Sequence, residues 1–159
     1  MDLKTLYREV ILDHYKTPRN TTPLSAPSCE ADCRNPSCGD KVRVQLRLDD
    51  GLVSEVAIIG NGCAISQASA SMMTEAVKGR RVVEIEAVME EFRRMVMGAG
   101  SEADREVLGD LMILEGIARL HARVKCAMCG WSALDAALNE NGSDVNLDED
   151  TELPASSQH

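Results

Sequence analysis

With 159 residues, 44% of them hydrophobic, the chain has room for one domain with a sizeable core and too little for two. A formal net charge of −9 argues against phosphate-driven nucleic-acid binding, which needs clustered cations to displace counterions. No apolar run is long enough to cross a bilayer, and the opening "MDLKTLYREV" is amphipathic rather than a basic stretch followed by an apolar one, so the expectation is a cytoplasmic protein with no membrane partner.

Leu3, Leu6, Tyr7, Val10 and Ile11 recur at helical spacing behind Asp2, which predicts an amphipathic helix over 3–14 ended by "KTPRN". Residues 21–33, rich in Pro and Ser, read as a loop with at most one short edge strand. From Lys41 to Leu48 apolar and polar residues alternate strictly, a half-buried strand. "DDG" turns it into "LVSEVAII", so the two form an antiparallel hairpin.

"GNGCAISQASASMMTEAVKG" delivers Cys63 to the start of a helix that ends near Gly79. Ile85, Val88, Met89, Phe92, Met95 and Val96 mark a further helix that stops at Gly98. A polar connection, "GAGSEADRE", precedes a helical piece over 108–120, and Cys126 begins a last helix with Trp131, Leu134 and Leu138 along one face. This order predicts an α+β domain: a small antiparallel β-sheet with helices packed on one face. The domain is expected to span 1–140. Residues 141–159 carry five acids and no Lys or Arg, and are expected to form an acidic, disordered tail.

Six cysteines in a chain with an adequate core and a cytoplasmic character point to metal ligands or reactive thiols rather than disulfides. Cys63 and Cys126 fall at predicted helix starts, where free N–H groups stabilise a thiolate. In "NPSCGD", Gly39 permits a sharp turn, so that Cys38 and Asp40 can aim at one point. Three thiolates and a carboxylate suit tetrahedral Zn²⁺ or iron in a cluster. Two other readings stand beside this one: small buried hydrophobes, or a ribbon-like zinc site from Cys33 and Cys38 with Cys126 and Cys129. Of the histidines, His14 is expected at the surface or as a helix cap, and His121 on a solvated loop. No phosphate loop, Ser/His/Asp order or paired-carboxylate motif stands out.

"LYREVILDHYKTPRN", "NPSCGD", "GNGCAISQASASMMTEAVKG" and "ARVKCAMCGWSALDAAL" occur in order over residues 3–139, and they closely resemble the SufU branch of the IscU/NifU N-terminal family. The resemblance implies a compact α+β fold and a metal site of Cys38, Asp40, Cys63 and Cys126. Lys125 stands where IscU-type scaffolds have a histidine, and the segment between Cys63 and Cys126 is longer, both as in SufU proteins. It further implies a zinc-bound sulfur acceptor for a SufS-type cysteine desulfurase, sulfurtransferase-like rather than a stand-alone enzyme. Cys38 would take the persulfide sulfur once the partner replaces it on the metal. Sulfur would pass on to a SufB, SufC and SufD type assembly complex. The alternative implied by the family is a scaffold building a [2Fe–2S] cluster on the same four residues. Arg123 and Lys125, on the loop entering the third cysteine, could orient the partner or stabilise an anionic persulfide.

Overall fold

The computed structural model describes residues 2–99, 103–139 and 144–147. Helix α1 (Leu3–Lys16) starts at Asp2, whose Oδ1 accepts from Thr5 N at 2.8 Å. Three strands follow: β1 (Cys29–Asn35), β2 (Asp40–Asp49) and β3 (Leu52–Asn61). Then come α2 (Ala64–Val77) and α3 (Val82–Arg94), with a wider turn over Met95–Ala99. A four-residue α4 (Arg105–Leu108) leads through 3₁₀ turns at Gly109–Arg119 and His121–Arg123 into α5 (Val124–Asn139).

The sheet runs β3-β2-β1-β4, where β4 is Val145–Asn146. β1, β2 and β3 pair antiparallel, as the alternation in β2 requires: Val42, Val44 and Leu46 point into the core while Lys41 and Arg43 face solvent. α5 packs on β1 and β2, α2 packs against α5 and β3, and α1 lies on α2. Trp131 of α5 stacks on Phe92 of α3 with ring centroids 4.3 Å apart, and its Nε1 donates to Ser69 Oγ at 3.1 Å. Helices on one face of a small sheet are thus the architecture, as expected from the order of elements.

Three expectations are corrected and one is refined. β1 is a full strand of seven residues rather than a loop, so Cys38 lies in the turn of a second hairpin, whose closing pair is Asn35 and Asp40. The helical piece expected over 108–120 is present as a 3₁₀-helix over 109–119. Leu108, Leu111, Leu114 and Ile117 are all buried at a spacing of three, the period of that helix. His14 is buried, because position 14 continues the stripe of Tyr7 and Ile11 that faces α2; its Nδ1 lies 2.8 Å from Ser71 Oγ and its Nε2 3.5 Å from Glu75.

The fourth concerns the acidic tail, since residues 144–147 join the fold. Val145 and Asn146 pair in parallel with Cys33 and Arg34, Leu147 N donates to Arg34 O at 2.7 Å, and Leu147 is buried. The sheet is therefore mixed. The tail's remaining residues lie outside the described ones, as do residues 100–102 of the polar connection. Among the described residues no helix is long and apolar enough to cross a membrane.

Candidate metal centre

The β1–β2 hairpin sets half of the site. Its loop, Pro36 to Gly39, is closed by Cys38 N donating to Asn35 O at 3.2 Å and Gly39 N to Pro36 O at 3.3 Å. Gly39 takes φ +70°, a left-handed conformation that glycine adopts without strain. Cys38 therefore sits half-exposed at the hairpin tip, while Asp40, two residues on, is buried at the first position of β2.

The other half comes from two helix starts. Cys63 caps α2, its Sγ accepting from Ser66 N at 3.4 Å. Cys126 is the third residue of α5 and fully buried. Sγ of Cys38, a carboxylate oxygen of Asp40 and Sγ of Cys126 all lie within 4.8 Å of one another, and among the described residues no other three His, Cys, Asp or Glu do so. Cys63 stands just outside that group, yet it is tied to it: its N donates to Asp40 Oδ1 at 2.8 Å and its Sγ accepts from the Cys126 thiol.

That shared proton separates the two sulfurs. Accepting from Cys126, and then from the N–H of Ser66, lowers Cys63 to about 6, against burial and the Asp40 charge. The same bond, with burial and the neighbouring Cys38 and Asp40, pushes Cys126 up. Around the mouth Arg123 is exposed and its Nη1 donates to Cys38 Sγ at 3.7 Å. Lys125 is half-buried at the second position of α5. Thiolates and a hard oxygen converging on one point suit a thiophilic divalent metal such as zinc. Two buried oxygens here, Asn35 Oδ1 and Ser66 Oγ, have no hydrogen-bond partner.

Residues 6–127 match the family model described as the NifU-like N terminal domain. The chain belongs to that family. It is 43% identical over 145 residues to the "Zinc-dependent sulfurtransferase SufU" of Bacillus subtilis (strain 168), covering 89% of this chain and 97% of that one. It is 36% identical over 145 residues to the "Iron-sulfur cluster assembly scaffold protein IscU" of Streptococcus pyogenes serotype M1, over 91% and 90% of the two chains. The crystal structure of FiSufU from Fervidobacterium Islandicum AW-1 superposes with TM-score 0.79 at 31% identity, over 85% of this chain and 98% of that one. For a NifU-like N-terminal protein from Brucella abortus the TM-score is 0.77 at 24% identity, over 87% and 96%, which shows the fold alone.

Against this NifU-like frame, the ribbon alternative fails on placement. Cys33 and Cys129 lie in the core, Cys129 Sγ donates to Cys33 O at 3.4 Å, and the neighbouring Cys33 side chain together with burial pushes Cys129 up. Neither belongs to the group formed by Cys38, Asp40 and Cys126. Two residues of the site escaped sequence reasoning. Asn35 donates to both Asp40 Oδ2 at 3.0 Å and Cys126 Sγ at 3.5 Å. Gly62 lets the chain pass so close to Asp40 that a Cβ there would stand 2.5 Å from Oδ1. Asn35 opens the very motif that signals the site, but only the strand pairing shows what its amide reaches.

Proposed function

We propose that the chain is a zinc-bound sulfur acceptor in iron–sulfur cluster assembly, taking persulfide sulfur from a SufS-type cysteine desulfurase. The observation that carries this is the gathering of Cys38, Asp40 and Cys126 within 4.8 Å with Cys38 as the half-exposed member at a hairpin tip. Cys63, the N-cap of α2 beside Cys126, supplies the fourth donor of a Cys₃Asp set. Zinc bound there would keep the thiols deprotonated while engaging the lone pairs that oxidants attack.

In the transfer step the Cys38 thiolate attacks the outer sulfur of the desulfurase's cysteine persulfide. A new S–S bond forms on Cys38, the partner's S–S bond breaks, and the partner cysteine leaves as a thiolate. Cys38 suits this step because it lies in a turn, whereas Cys63 and Cys126 are built into helices. Exposed Arg123, 3.7 Å from Cys38 Sγ, offers a cation to the thiolate and to the persulfide that replaces it. Lys125 directly precedes Cys126 in α5. The onward recipient is a SufB, SufC and SufD type assembly complex.

Metal analysis with desulfurase turnover tests the reading. The purified chain is expected to hold about one zinc and to stimulate a SufS-type desulfurase. Cys38→Ser removes the stimulation, since a serine hydroxyl is not ionised near neutral pH and carries no persulfide. Peptide mass spectrometry after reaction with the desulfurase and cysteine locates the added sulfur. Sulfur on Cys126 or Cys129 with Cys38→Ser still active refutes the assignment. Iron and acid-labile sulfide in place of zinc would make the same residues a [2Fe–2S] assembly site.

A further inference from the structure

We infer that Asn35 is the positioning residue of this site, its amide holding Asp40 and Cys126 as a fixed pair so that Cys38 alone is released. The inference rests on the metal-bound reading above and concerns how that site keeps its shape when one donor leaves.

Asn35 is 1% exposed and ends β1 opposite Asp40, the pair that closes the hairpin carrying Cys38. An amide nitrogen has two hydrogens, and both are committed. One reaches Asp40 Oδ2 at 3.0 Å and the other Cys126 Sγ at 3.5 Å, joining a residue of the sheet to a residue of α5 that is 86 positions further along the chain. The opposite amide orientation would set a carbonyl oxygen against the Asp40 carboxylate, two acceptors face to face, so it is the NH₂ that points inward. Asn35 Oδ1 is left buried without a partner.

The remaining donors complete the pattern. Asp40 Oδ1 accepts from Cys63 N at 2.8 Å, and Cys63 Sγ accepts from Ser66 N at 3.4 Å. Asp40, Cys63 and Cys126 are thus all held by buried amides or backbone N–H groups. Cys38 Sγ, by contrast, accepts only from the exposed side chain of Arg123 among the hydrogen bonds described, a cation that lies beside Cys126 and Cys63 as well. Outer hydrogen bonds of this kind fix the orientation of metal-binding groups and weigh on affinity.

The test uses the full chain and zinc itself. Asn35→Leu keeps the volume and removes the donors, and Asn35→Ser stops one bond short of them in a side chain small enough for the site. Both are expected to bind zinc about 10–100-fold more weakly than the parent in competition with a chromophoric chelator. Their metal-free circular dichroism should be unchanged, and the visible bands of their cobalt-loaded forms should move away from the parent's tetrahedral pattern. In the zinc-loaded parent, iodoacetamide should modify Cys38 ahead of Cys126, and that order should be lost in both variants. If the parent binds zinc and both variants keep its affinity, cobalt spectrum and alkylation order, the positioning role is refuted while the metal reading stands. A parent that binds no zinc refutes the metal reading and takes the positioning role with it.

Discussion

Gly62 offers a direct perturbation of the site from outside its donor set. In Gly62→Ala the new methyl would stand 2.5 Å from Asp40 Oδ1 and 3.1 Å from both Asp40 Cγ and Cα. Carbon and oxygen ordinarily approach no closer than about 3.3 Å, so the carboxylate must retreat by roughly 0.8 Å. It has nowhere to go cheaply. Asp40 is 2% exposed, Oδ1 is held by Cys63 N and Oδ2 by Asn35, so rotation breaks one bond or the other.

Overpacking of this kind costs about 1–3 kcal/mol. For a domain of this size that is a fall in melting temperature of roughly 2–12 °C. Zinc affinity should fall at least about tenfold, because the displaced group is the carboxylate of the site. Gly116→Ala is the control: that residue is exposed, with nothing within 4 Å of an added Cβ, so alanine should leave stability level or raise it by about 0.4–1 kcal/mol. Thermal melts of the metal-free proteins and chelator competition read both effects. A Gly62→Ala protein that melts with the parent and binds zinc equally would show that the close approach to Asp40 does not shape the site.

Removing residues 148–159 should leave the melting temperature unchanged, whereas removing 144–159 also strips the buried Leu147 and its bond to Arg34 O and should cost about 1 kcal/mol, or roughly 2–4 °C; equal melts would show that β4 contributes nothing. His14 is held below its ordinary value by burial first and the Arg19 charge second, opposed by Glu75 and Asp13, so the neutral ring is the folded form. Its contribution is therefore complete above about pH 6.5 and lost as pH falls through the folded value. His14→Gln should flatten the decline in melting temperature between about pH 6.5 and 5, and an unchanged pH profile would exclude His14 as its source. Cys129→Ala should keep zinc, since Cys129 lies in the core beside Cys33, while Cys63→Ser should lose it; the reverse result would restore the ribbon-like site.

The elements that were legible carried their burial in a regular period. β2 alternates because one face meets α5 and the other meets water, and α1 and α3 show helical stripes because each buries a single side, whereas α2 and α5 are buried nearly all round and were read from the glycines and cysteines at their ends. β1 was hidden by composition: "CEADCRN" offers Ala31 and Cys33 as its inward residues, neither a strong strand former, and its outward face is charged. β4 is two residues long, too short for any period to register. The 3₁₀ stretch was legible as helical but not by type, because apolar residues three apart also lie on one side of an α-helix over a few turns.

The site divides along the same line. Donor chemistry is local: a cysteine and an aspartate flanking a glycine, and a cysteine at a helix start, are written in residue types a few positions apart. What holds the donors is not local. The amide of Asn35 reaches Asp40 only because β1 and β2 pair in a register that sets those residues opposite, and it reaches Cys126 only because α5 crosses that end of the sheet. Gly62 matters only because β3 returns its chain to Asp40 before α2 begins. A motif can therefore announce which atoms would bind a metal, while the groups that hydrogen-bond to those atoms are specified by strand register and helix packing, and become visible only once β1 is known to be a strand.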